Sequence, residues 1–202
     1  MIPPHAVQPG SIGVMGGAFD PIHVGHLVTA VNVRHALGLD RVLLVPAHDP
    51  WQKAGTVVAS GRDRLAMVEA AVADVDGLEA SDVEVARSGP TYTADTLAEL
   101  SGLHPDAALF LILGSDVAAG LPGWERVEEV RRRASLVVVA RPGADDAGPP
   151  PGWPHERLVV PRLEVSSTDL RARVRDGRPL DYLVTAAVQR VIRDRGLYAS
   201  PE

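Results

Sequence analysis

Four short apolar runs, Ile12–Met15, Val42–Val45, Leu109–Leu113 and Leu136–Ala140, show no alternation of apolar and polar positions. A strand that meets water on one face alternates, so these runs predict strands covered on both faces. Between them the apolar spacing changes to three and four residues, which predicts helices over about 25–37, 62–75, 95–100 and 125–133. Gly38 follows the first of these as a stop signal. Leu158–Val160 predicts one more strand. The run Val165-Ser166-Ser167-Thr168-Asp169 predicts a helix start, because Ser, Thr and Asp side chains accept from the unpaired N–H groups of a first turn. A last helix is predicted over about 185–195, closed by Gly196. Strand and helix alternate along the chain, which predicts an α/β fold with a parallel sheet and helices on both faces. Ligands of such sheets sit beyond the carboxyl ends of the strands.

Two segments interrupt the alternation. Residues 46–61 are rich in Pro, Gly and polar residues and contain Trp51 and Lys53. Residues 142–154, PGADDAGPPPGWP, predict a mobile surface excursion without regular structure. With a loose lead-in over about 1–10 and no internal repeat, the 202 residues predict one domain.

Composition narrows the partners. Aromatic residues make up only 4% of the chain against 46% hydrophobic, so the core rests on aliphatic side chains. A net charge of −6 argues against nucleic acid or an anionic membrane surface as a general partner, and any anion site must be locally basic. The absence of cysteine excludes disulfides, thiolate metal sites and cysteine nucleophiles. Without an apolar run of membrane-spanning length or a signal-peptide pattern, the expectation is a cytoplasmic protein. Homo-oligomerisation is left open.

The chemistry concentrates in Gly16-Gly17-Ala18-Phe19-Asp20-Pro21-Ile22-His23-Val24-Gly25-His26, directly after the first predicted strand. A strand that empties through glycines into a helix exposes backbone N–H groups beside a partial positive charge, a ready phosphate site. His23 and His26, three apart at the helix start, can face one ligand. The plainer account is a tight turn with two structural histidines. No Gly-Lys-Ser/Thr follows and no GxGxxG is present, so neither a Walker loop nor a dinucleotide fingerprint applies. Zinc is disfavoured, since helical zinc pairs are spaced by four with a catalytic glutamate between them. Nor does a carboxylate cluster mark a metal site in the protein.

This segment closely resembles the nucleotidyltransferase superfamily signature G-G-[ST]-F-D-P-x-H-x-G-H. Val165-Ser166-Ser167-Thr168-Asp169-Leu170-Arg171 is similar to its second motif, I-S-S-T-x-[IL]-R. Within the superfamily, four segments resemble the bacterial nicotinate-mononucleotide adenylyltransferases: residues 89–97 (GPTYTADTL), Gly114-Ser115-Asp116, Leu121-Pro122-Gly123-Trp124 and Arg141-Pro142-Gly143. The closing Asp181-Tyr182-Leu183 and Gly196-Leu197-Tyr198 fit as well. The resemblance runs from about Gly13 to Tyr198. One position departs from it: Ala18 stands where the family carries a hydroxyl residue, so only its backbone N–H remains for a phosphate.

The resemblance implies a Rossmann-like doubly wound sheet and adenylyl transfer from ATP, bound with Mg²⁺, to nicotinate mononucleotide. It implies ATP contacts from Gly16, Gly17, Ala18, Phe19, Asp20, Gly25, Gly114, Asp116, Ser166, Ser167 and Thr168, with Phe19 and Asp20 alternatively shaping the turn. His23, His26 and Arg171 are the catalytic candidates, stabilising charge on the phosphoryl oxygens and leaving group. Thr93 and Trp124 are expected at the nicotinate ring, and Lys53 and Arg141 at the acceptor phosphate, unless these two are ordinary surface cations. Competing readings are the same transfer to nicotinamide mononucleotide or phosphopantetheine, and an inactive nucleotide-binding sensor.

Overall fold

A computed structural model describes residues 10–49, 57–87, 90–140 and 148–199. Six strands form one sheet: β1 (Ser11–Gly17), β2 (Arg41–Pro46), β3 (Leu78–Ala80), β4 (Ala108–Gly114), β5 (Ala134–Ala140) and β6 (His155–Val159). Their order is β3-β2-β1-β4-β5-β6, and every neighbouring pair is parallel. The sheet is therefore doubly wound, and its order reverses between β1 and β4. The apolar runs account for the buried strands: alternate residues of one strand enter two different cores. Val42 and Leu44 join one cluster with Ile112, Val137 and Val139, while Leu43 and Val45 join the other with Leu111, Leu113 and Val138.

Helices α1 (Val24–Leu37), α2 (Gly61–Val72), α6 (Ser167–Arg175) and α7 (Ala186–Asp194) bury Val33, Met67, Leu170 and Val188 in the first cluster. α3 (Thr93–Leu103), the short α4 (Ser115–Ala119) and α5 (Val127–Arg133) bury Leu97, Ala118 and Val130 in the second. Local sequence sets the helix ends. Gly38 ends α1 in the left-handed region at φ 61°, its N–H bonded back to the last carbonyls. Ser60 and Ser166 accept from the N–H of Asp63 and Asp169 at the starts of α2 and α6. No helix among the described residues is long and apolar enough to cross a membrane.

Three elements depart from the sequence expectations. β3 has only three residues, Leu-Glu-Ala, too few to carry a periodicity, and α4 has five. Part of the excursion is fastened: Arg131 donates to Gly152 O at 2.9 Å and lies 5.6 Å from the Trp153 ring centroid, and Trp153 packs on the second cluster. Residues 141–147 lie outside the described residues.

One glycine is needed inside the sheet. A Cβ on Gly13 would stand 2.9 Å from both Ile112 Cδ1 and Val42 Cγ2 and 3.0 Å from Leu39 Cδ1. Gly13→Ala is expected to lower stability by about 1–3 kcal/mol, the usual cost of overpacking a core. A urea unfolding curve checks it, and an unchanged midpoint would show that these side chains yield freely.

Candidate active site

The cleft arises where two strands part. β1 pairs with β4 only from Ser11↔Ala108 to Val14↔Leu111, although both strands run on for three more residues. β1 keeps its partner on the other side as far as Gly17↔Pro46. The gap becomes a cavity of about 200 Å³. Gly16, Gly17 and Ala18 form part of its wall, together with Leu111, Leu113, Thr93 and Trp124.

After the glycines the chain turns into the start of α1. His23 is its N-cap and is 8% exposed; His26, in the first turn, is half-buried. The two rings stack at 3.7 Å between centroids and 22° between planes, and Phe19 meets the His26 ring edge-on at 5.0 Å. The His23 backbone N–H donates to His26 Nδ1 at 3.2 Å. With Nδ1 accepting, the proton of the neutral ring sits on Nε2, which becomes the donor of that imidazole. The Gly25 N–H is an orphan of the helix start. A Cβ there would stand 3.1 Å from the His23 ring and 3.2 Å from Val165, so glycine lets α1 approach both. Gly16 is exposed, and a Cβ on it would meet nothing within 4 Å, which leaves its backbone open to a phosphate.

The second motif docks on the first across 146 to 151 residues of sequence. Ser167 Oγ donates to Pro21 O at 2.9 Å, and Arg171 donates to Asp20 O at 2.7 Å while its other terminal nitrogen donates to Thr168 Oγ1 at 3.4 Å. The N-termini of α1 and α6 are thereby brought together, with Ser166 and Thr168 exposed at the rim. Two helix dipoles and the Arg171 guanidinium make this the locally basic spot that an acidic chain needs for an anion.

Phe19 and Asp20 are both 2% exposed and shape the turn. The Asp20 carboxylate accepts from Val58 N at 2.8 Å, Ala59 N at 3.1 Å and Tyr198 Oη at 2.7 Å, with Arg171 Nη1 at 3.5 Å. These partners occupy the carboxylate within the protein. Gly114 and Asp116 stand at the carboxyl end of β4, where α4 begins, outside the cavity lining. Trp124 both packs on the second cluster and lines the cavity. Its loop is tied to α3 by an ion pair between Arg126 and Asp95. Lys53 and Arg141 lie outside the described residues.

Two residues of the site, Arg64 and Glu84, lie outside the motifs, and a third, Thr96, lies within residues 89–97 without having been singled out. Arg64, 1% exposed, donates to Ala59 O at 3.2 Å, Ala18 O at 2.7 Å and His48 O at 3.0 Å, and so holds three loop segments under the cradle. Burial pushes its pKa down while Asp20 pulls it back up. A signal was nonetheless present: Arg64 shares one buried face of α2 with Met67, Val68, Ala71 and Val72, an odd place for a cation. Glu84 and Thr96 also line the cavity. No local pattern marks Glu84, which sits in an irregular stretch.

Comparison with known proteins agrees with this geometry. Residues 14–173 match the cytidylyltransferase-like family. A probable nicotinate-nucleotide adenylyltransferase of Saccharopolyspora erythraea is 45% identical over 93% of this chain and 89% of its own length. The chain belongs to the nicotinate-nucleotide adenylyltransferase family. A second such relative, from Clavibacter michiganensis, is 46% identical over 95% of both chains. Among solved structures, the Plasmodium falciparum nicotinic acid mononucleotide adenylyltransferase complexed with NaAD superposes with a TM-score of 0.75 at 19% identity. It covers 94% of this chain and 97% of its own, so the family's sheet and helices are reproduced. A putative nicotinate-nucleotide adenylyltransferase of Vibrio parahaemolyticus superposes at 0.67 with 22% identity, covering 95% and 97% of the two chains.

Proposed function

We infer that this chain transfers the adenylyl group of ATP to nicotinate mononucleotide, releasing nicotinate adenine dinucleotide and pyrophosphate. The observation that carries the reading is the shared glycine wall. Residues 16–18 line a ring-sized cavity, and the same segment runs on into the stacked His23/His26 pair at the start of α1, so substrates bound at the two places would meet along one short stretch of chain.

A phosphate oxygen of the acceptor attacks the α-phosphorus of ATP in line. The new P–O bond forms as the bond to the β-phosphate oxygen breaks, and pyrophosphate leaves with the electron pair. A phosphate dianion is already a competent nucleophile, so the protein mainly positions two polyanions and spreads their charge. His26 Nε2, with His23 stacked beside it, donates to the phosphoryl oxygens as charge builds there. The N–H groups of Gly25 and the glycine wall, with the starts of α1 and α6, receive the remaining phosphates. Arg171, anchored on Asp20 O, adds a fixed cation. Among the described residues no three or more His, Asp or Glu side chains converge as metal ligands. The donor is therefore written as the magnesium complex of ATP, the ion held by the substrate's own phosphates.

Trp124 offers its ring face to the cationic pyridinium. The Thr93 N–H, an orphan donor by its position at the start of α3, receives the ring carboxylate. Lys53 and Arg141 are assigned to the acceptor phosphate by family likeness alone. Trp124→Ala is expected to raise the acceptor KM roughly thirtyfold, the equivalent of about 2 kcal/mol for a desolvated cation–π contact. The ATP KM should stay within about twofold, and steady-state kinetics in both substrates separate the two. An effect confined to ATP would move Trp124 to the other subsite. The reaction itself is tested by pyrophosphate release with ATP, Mg²⁺ and each acceptor in turn. Nicotinate mononucleotide should react, nicotinamide mononucleotide more weakly, and phosphopantetheine not at all. Silence with nicotinate mononucleotide would overturn the reading.

A further inference from the structure

The acceptor cavity contains a carboxyl group that the transfer reaction does not use. Glu84 lies in its lining at 7% exposure. One oxygen, Oε1, accepts from Thr96 Oγ1 at 2.6 Å, and Thr96 Oγ1 in turn accepts from Arg87 at 3.1 Å. Among the described residues no side chain reaches the other oxygen. Thr96 and Thr93 both line the cavity, three residues apart on the same face of α3. Through its bond to Thr96 the Glu84 carboxyl is tied to the helix whose first N–H, that of Thr93, is assigned above to the ring carboxylate.

Two carboxylates brought close together, one of them buried, cannot both be ionised without electrostatic cost; such pairs share a proton. We propose that Glu84 is a specificity-determining residue of the acceptor site. As the acid it admits and hydrogen-bonds a carboxylate-bearing ring; once ionised it rejects that ring and accepts from the N–H of a carboxamide. This assignment rests on the adenylyltransferase reading.

The surrounding charges keep both forms of Glu84 within reach. Burial pushes its pKa up to about 7, against the Thr96 hydrogen bond and the guanidinium groups of Arg87 and Arg64, which pull it down. From α3, Glu99 stands 3.9 Å from Arg87 and moderates that cation, and Glu125 faces the cavity from the Trp124 loop, with Tyr92 on the opposite lip. Because the carboxyl is raised rather than lowered, the acid form prevails below about pH 7 and is lost above it.

The test is a pH series of acceptor affinity on the whole protein. Isothermal titration with nicotinate mononucleotide should show Kd rising roughly tenfold between pH 7 and 8.5, with net proton uptake on binding read from buffers of different ionisation heat. Glu84→Gln keeps an acceptor for Thr96 but cannot titrate; its Kd should stay flat within about twofold and its proton uptake at this site should vanish. Shared titrations, such as that of the substrate phosphate, cancel in the comparison. Nicotinamide mononucleotide should show no rise with wild type. If Glu84→Gln does not fold, Thr96→Val gives a second arm: loss of the hydrogen bond that lowers the Glu84 pKa should move the wild-type rise to higher pH. Identical pH profiles and proton uptake in wild type and variant would overturn the proposal while leaving adenylyl transfer intact. Absence of pyrophosphate release with this acceptor at every pH would instead sink the function it rests on.

Discussion

Replacing His26 by alanine should lower kcat by about 10²–10³-fold, the effect of removing one well-placed donor to a developing charge, roughly 2.7–4 kcal/mol. The helix dipole is worth only about 0.3–1 kcal/mol at such a site and cannot compensate. The fold should survive, because His26 is half-buried and its losses include one bond from the His23 N–H and an edge contact with Phe19. Stability should fall by no more than about 1–1.5 kcal/mol. Single-turnover rates with saturating ATP and acceptor isolate the chemical step. A variant that turns over at near wild-type rate would show that backbone donors and Arg171 suffice without the imidazole.

The largest loss of stability is expected at Asp20. Its carboxylate is the meeting point of four partners from three regions: Val58 and Ala59 before α2, Tyr198 near the end of the described chain, and Arg171 on α6. Asp20→Ala leaves the buried Ala59 N–H without its acceptor, removes that of the partly buried Val58 N–H, leaves the Tyr198 hydroxyl only the Met67 sulfur, and strips Arg171 of its counter-charge. Breaking a buried charged network in this way costs about 3–5 kcal/mol. Asp20→Asn keeps the shape and some of the bonds and should cost less, about 1.5–3 kcal/mol. Chemical unfolding of both variants measures the difference. A loss below about 1 kcal/mol in the alanine variant would mean that water replaces the carboxylate and that the network is not structural. The alanine variant should also lose kcat, since Arg171 then keeps only the Asp20 carbonyl and the long bond to Thr168 to aim it.

The sheet was readable in the sequence wherever a strand was buried on both faces, because continuous apolar runs such as Val42–Val45 and Leu136–Ala140 leave no polar side to turn toward water. Leu78–Ala80 escaped because three residues, one of them Glu79, carry no period. The glycine turn and the helix start at Ser166–Thr168 were readable because their backbone geometry calls for those residue types locally. The acceptor cavity was less so. Thr93 and Trp124 were identified by family likeness, whereas Glu84 enters the cavity only because β1 and β4 separate beyond Val14 and Leu111, a property of register and not of composition. Phe19 and Asp20 illustrate the same limit. Their places in the motif were plain, but tertiary contacts turn both side chains inward, where they hold the turn.

Arg64 has a consequence for redesign. Its planar fork reaches three carbonyls that diverge in direction, at Ala18, His48 and Ala59. A lysine ammonium, a single point of charge, cannot span them. A new loop grafted after β2 would be mechanically linked, through one guanidinium, to the segment that carries Ala18. Exchange of that loop should succeed only with grafts that still offer a backbone oxygen where His48 does, so a change after β2 is felt at the glycine turn after β1.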